Sequence, residues 1–183
     1  MPSSERRWLL RSGTSTLHEE LDRRVGSISD LGSYQRYLRG MMRFRGPLER
    51  KLADASYPSQ LSGFTPCYIA SSLQRDMMVV TNDQVAHAQE MSDIDLSTPE
   101  KMFGTLYVLE GSTLGSRLLI KQAAAIGIDE TNGAEHLAKQ SASGGNWKAF
   151  LALLESAEDL DDQAIIVSAL QTFTVAIDVF EKI

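Results

Sequence analysis

The chain has 183 residues, 43% of them hydrophobic and 23% charged, the balance of a globular protein long enough to bury its own core. A formal net charge of −6 argues against a nucleic-acid partner, which needs a basic stripe, and a single cysteine, Cys67, excludes a disulfide framework and most cysteine-based metal sites. Apolar runs fall short of the roughly 18 residues of a membrane span and no leader with a cleavage site opens the chain, so a cytoplasmic protein is expected.

Trp8, Leu9 and Leu10 lead into Leu17, Leu21 and Val25 at helical spacing, which predicts an amphipathic first helix ending near Gly26. Asp30 is read as the N-cap of a second helix carrying Tyr34, Tyr37, Leu38, Met41, Met42 and Phe44. Pro47 is expected to kink or restart it before Leu48 and Leu52. Residues 56–66, with Pro58, Gly63 and Pro66, read as a loop. A third helix is expected over 67–80, then a loop or partial helix to Leu96. Ser97 and Thr98 ahead of Pro99 announce a long fourth helix, which carries Met102, Phe103, Leu106 and Leu109 on toward Gly127. Gly144 and Gly145 break the chain within 141–146. Two last helices follow over 147–156 and 162–182, the second capped by Asp161 or Asp162. Strand signals are confined to the ambiguous run 77–81. No repeat or composition jump marks a second unit, so one all-α domain over 1–183 is expected.

Ten arginines, from Arg6 to Arg50, crowd the first fifty residues. Most read as solvated helix surface, with room for a small anionic ligand. Gly111 and Gly115 stand in the most helix-like apolar stretch, and each glycine inside a helix costs about 1 kcal/mol relative to alanine. The pair should bend or loosen the helix. It permits either close packing of another helix or a bare surface on which something flat can lie.

The histidines are His18, His87 and His136, and no HExxH or CxxC spacing points to zinc. His87 and His136 lie in polar stretches, are expected to be exposed, and receive no role. His18 stands four residues before Asp22. A carboxylate there can accept the Nδ1 hydrogen and leave Nε2 to bind a metal; a boundary histidine with a helical partner is the plainer alternative. Arg11 and Ser15 share that flank.

The stretch Leu106 to Leu119, with Glu110-Gly111-Ser112-Thr113-Leu114-Gly115, resembles the distal helix of the heme oxygenase family, especially its bacterial branch associated with bacteriophytochromes. The run from Arg11 to Asp22 resembles that family's proximal helix, and 173–180 fits its C-terminal helix. The likeness spans essentially the whole chain, with specific motifs on two helices. It implies a helical bundle with a kinked distal helix, His18 as axial ligand of heme iron, Asp22 orienting it, and the Gly111–Gly115 backbone against the heme face. Ser112 falls where some members carry an aspartate that anchors distal water. Arg11 and Lys148 would hold propionates, Arg117 less directly, and Ser15 stands where a second basic residue is common. Ser116 replaces a glycine, while Phe103, Leu106, Leu109, Leu114 and Phe173 would be wall and core. The implied activity is ring opening with dioxygen and electrons from a reductase or ferredoxin, giving biliverdin, ferrous iron and carbon monoxide, for a phytochrome or for iron release. Two alternatives stay open: a heme or tetrapyrrole binder without turnover, and a helical scaffold that takes no heme.

Overall fold

A computed structural model describes residues 5–81 and 93–183, and every regular element among them is helical. The order is α1 (Glu5–Val25), α2 (Leu31–Asp54), a 3-10 turn (Ser59–Leu61), α3 (Ala70–Thr81), α4 (Pro99–Ala125), α5 (Glu135–Ala142), α6 (Gly144–Ser156) and α7 (Asp162–Glu181). The fold is all-α, as expected. Run 77–81 is the end of α3, and the partial helix expected before Leu96 falls on 82–92, outside the described residues.

Local chemistry sets several boundaries. α1 stops at Gly26, whose φ of 72° leaves the helical region. A capping box starts α2: Asp30 Oδ1 accepts from the Ser33 N–H at 2.7 Å while Ser33 Oγ accepts from the Asp30 N–H at 3.1 Å. Pro47 does not restart α2, which runs through it to Asp54. An interior proline costs about 3 kcal/mol, but Phe44, Leu48 and Leu52 are buried around it and each such side chain returns about 1.5–3 kcal/mol.

Other boundaries are tertiary. α3 begins at Ala70 because the carboxylate of Glu49, on α2, accepts from the N–H groups of Ile69 and Ala70 at 2.9 and 2.8 Å. Likewise α5 starts where Asp76 of α3 accepts from Glu135 and His136 N–H groups at 3.0 and 2.9 Å. Nothing local announces either cap. Only Ser143 separates α5 from α6, so the expected break is a corner.

α7 is the spine that positions the rest. α1, α2 and α4 all pack on it, over Ile165, Ala169, Phe173, Ala176 and Phe180. Two glycines let the flanking helices approach. A Cβ on Gly104 of α4 would stand 2.5 Å from the Ile165 carbonyl oxygen, and one on Gly13 of α1 would stand 3.0 Å from Ile166 Cγ2. α7 is also the exception to the expected absence of spanning segments, since its mean hydropathy of 1.6 and 20-residue length would suffice by composition. Here that apolar face is the seat of α1, α2 and α4.

Arg45 departs from the solvated-arginine reading. It is 1% exposed, with Nε donating to Glu49 Oε1 at 2.8 Å and Nη2 to the Cys67 carbonyl at 2.6 Å. Arg36 donates to the Arg24 and Val25 carbonyls at the end of α1 and to the Phe180 carbonyl on α7.

Candidate functional site

Gly111 and Gly115 differ from the glycines that serve packing. A Cβ on Gly115 would meet nothing within 4 Å, and one on Gly111 would make ordinary contact with the Trp147 ring at 3.7 Å. Close helix packing therefore does not account for them. Gly111, Leu114, Gly115 and Leu118 fall at i, i+3, i+4 and i+7, one stripe of α4. Leu114 and Leu118 are 50% and 60% exposed, so neither is core. The stripe is apolar and low: Leu114, Gly115 and Leu118 are exposed, and the Trp147 ring flanks Gly111.

The helix stays continuous through this stretch. Three hydroxyls bond carbonyls one turn back: Ser112 to Leu109 at 2.6 Å, Thr113 to Glu110 at 2.8 Å and Ser116 to Thr113 at 2.8 Å. Such back-bonding loosens a helix without breaking it. Thr113 and Ser116 are buried; Ser112, half-buried, borders the bare stripe.

On α1, His18 is solvent-facing, its side chain 61% exposed. Nδ1 lies 3.1 Å from Asp22 Oδ2, and the ring meets Phe173 of α7 edge-on with centroids 5.8 Å apart. One ring nitrogen is engaged, one face is supported, and Nε2 is left over. Among the described residues no three His, Cys, Asp or Glu side chains cluster to hold an ion. A metal taken by His18 must bring its own remaining ligands.

Tyr107 of α4 is partly buried beside α1. Burial raises the Tyr107 phenol, while a hydrogen bond with Thr14 and the charges of Arg7 and Arg11 counter that rise. His18 lies one turn beyond Thr14 on α1, and Gly111 one turn beyond Tyr107 on α4. Both helices pack on α7. The Tyr107 ring packs on Trp147 of α6 at 5.7 Å, beneath Gly111. Sequence reasoning did not single out Tyr107; its place one turn ahead of Gly111 was the available signal.

Arg11, Ser15 and Lys148 are exposed, with Ser15 Oγ donating to the Ser12 carbonyl at 3.1 Å. Arg117 lies over the start of α6, where a Cβ on Gly144 would stand 2.6 Å from its Nη2.

Behind the stripe is a buried polar layer. Glu110 accepts from the Cys67 N–H at 2.8 Å and from Asn146 Nδ2 at 2.9 Å. Burial pushes its carboxyl up, against the pull of those bonds and of Arg45. His136 was expected on the surface and is fully buried. Nδ1 sits 2.7 Å from Asp76 Oδ2 and Nε2 3.3 Å from the Tyr37 hydroxyl. Burial lowers its pKa, with Asp76 acting the other way. Its polar sequence context concealed an α5 face that packs on α3 and α4. His87 lies outside the described residues.

The described residues thus form an all-helical scaffold with an exposed imidazole on α1 and an exposed glycine-bearing stripe on α4. A sequence model of the heme oxygenase family matches residues 7–182, and the chain belongs to that family. It is 29% identical over 149 residues to heme oxygenase PigA of Pseudomonas aeruginosa, covering 79% of this chain and 75% of that one. Its fold is similar to the NO- and CO-bound heme oxygenase of Neisseria meningitidis, with a TM-score of 0.72 at 20% identity, over 94% of this chain and 88% of that one.

Proposed function

We propose that this chain acts as one heme oxygenase domain over 1–183, binding heme between α1 and α4 with His18 on the iron. Its reaction is oxidative opening of the macrocycle to biliverdin, ferrous iron and carbon monoxide. The observation that carries this reading is the open space over Gly115, with ordinary contact alone at Gly111, so that internal packing requires glycine at neither position. Heme supplies the iron and the dioxygen redox chemistry, while the protein supplies ligation, orientation and exclusion of water.

Each residue has a role in that division. Asp22 takes the Nδ1 hydrogen at 3.1 Å and aims Nε2 outward as the ligand. Gly111 and Gly115 bring main chain onto the opposite face and restrict where oxygen chemistry reaches. Ser112 holds water beside them. Leu114 and Leu118 shed water from the apolar rim. Arg11 and Lys148 pair with the propionates, and Ser15 offers a weaker hydroxyl contact. Electrons come from a cytoplasmic reductase or ferredoxin. The biliverdin serves a phytochrome, as in the bacteriophytochrome-associated branch, or the purpose is iron release.

The test is spectroscopic. Hemin added to the purified protein should give histidine-ligated ferric bands, and ascorbate or a reductase under air should convert them to biliverdin absorption. His18→Ala should lose the histidine-ligated spectrum and keep its far-UV helicity. Stable bands without ring opening would favour a non-turnover binder; no defined spectrum would favour a scaffold.

A further inference from the structure

Ser112 of α4 meets Gln140 of α5. Gln140 Nε2 lies 2.6 Å from Ser112 Oγ, which lies 2.6 Å from the Leu109 carbonyl oxygen. Gln140 is 2% exposed, and buried amides require partners; among the described residues its side chain bonds to Ser112.

Counting protons fixes the direction of both bonds. A serine hydroxyl carries one hydrogen and two lone pairs, and a carbonyl oxygen only accepts. With the amide nitrogen toward Ser112, the hydroxyl donates to Leu109 and accepts from Gln140, so both contacts are bonds. With the amide reversed, two acceptors would compete for one hydrogen and one short contact would be repulsive. Ser112 is thus left with a single free lone pair and no proton to give.

We infer that Gln140 is a positioning residue for the distal face. It fixes Ser112 as an acceptor beside Gly111, so that a water over the Gly111–Gly115 backbone is held by donating a hydrogen to Ser112. The inference rests on the heme reading above. It gives this chain an ordered water whose orientation is set from α5, in place of an ionisable side chain at position 112. His136, one turn before Gln140 on the same buried face, ties that part of α5 to α2 and α3 through Tyr37 and Asp76. The amide is therefore anchored.

The experiment compares hemin-loaded wild type with Gln140→Leu, Ser112→Ala, their double variant and Gln140→Glu. It reads the pH titration of the ferric visible bands, the hemin Kd and heme-free far-UV spectra. Gln140→Leu should keep hemin affinity within about threefold and shift the transition of the distal water by about half a pH unit or more. Ser112→Ala should do the same, and the double variant should add nothing. Gln140→Glu, nearly isosteric, puts an acceptor where the amide donated, so it competes with the Leu109 carbonyl for the Ser112 hydrogen, and its charge opposes loss of a proton from that water; the transition should rise. Additive effects of the two single changes, or an unchanged transition in Gln140→Leu, overturn the role of Gln140. Should Gln140→Leu not fold, an unchanged transition in Gln140→Glu does so. If the unsubstituted protein gives no histidine-ligated spectrum, the proposed function falls and this inference with it.

Discussion

Replacing Gly115 by alanine should make the heme-free protein more stable and a poorer binder of hemin. Alanine is favoured over glycine in a helix interior by about 0.8–1.0 kcal/mol. At Gly115 nothing lies within 4 Å of the added carbon, so the gain should be realised almost in full. For a chain of this size that is a rise in Tm of about 2–4 °C. Gly104 is the internal control, with the same propensity gain but a Cβ 2.5 Å from the Ile165 carbonyl oxygen. Overpacking of that kind costs about 1–3 kcal/mol, so Gly104→Ala should lower the Tm. With hemin the sign reverses at Gly115: a methyl group on the ligand face should weaken binding by about 1.4 kcal/mol, tenfold in Kd. Thermal unfolding by circular dichroism and a hemin titration read both effects. A heme-free Gly115→Ala protein less stable than wild type would refute the reasoning, because it would mean that the stripe is already covered.

Gly115→Leu should extend the trend to loss of ring opening, measured as biliverdin absorbance under ascorbate; surviving turnover would contradict the close approach of backbone to heme. Arg45→Met should destabilise by about 3–5 kcal/mol in urea, because Glu49 keeps a buried charge without its partner. A loss under about 1 kcal/mol would show that pair to be solvated. His136 has its pKa lowered by burial, so the unfolded chain binds the proton more readily and stability falls as pH drops below the ordinary value of 6.5. His136→Gln should remove that part of the decline between about pH 6.5 and 5, and parallel pH profiles of the two proteins would refute the assignment.

The sequence carried the helices and the two motif-bearing walls because those signals are local. The Asp30 cap, Thr98 ahead of Pro99, and the spacing of Leu17, Leu21 and Val25 all act within a turn or two. His18 and Asp22 could be paired for the same reason, being i and i+4 on one helix. What stayed hidden depends on distant partners. Glu49 and Asp76 start helices from across the fold, so α5 had no visible beginning and α3 was placed three residues early. Arg45 looks like a surface residue until the Cys67 carbonyl is brought to it, and His136 until Asp76 is. Gln140 was illegible too, since its meaning lies in a contact with Ser112, 28 positions away.

The α7 spine also sets how far apart α1 and α4 stand. Both helices sit on the same third helix, at Gly13 over Ile166 and at Gly104 over Ile165, contacts too tight for either to rock inward. The spacing of α1 and α4 is thus a property of the outline of α7. Trimming Ile166 would let α1 settle closer to α7 without changing any residue proposed to touch heme. In the heme reading proposed above, the thickness of ligand accepted would follow from the contour of α7 as much as from the residues of α1 and α4.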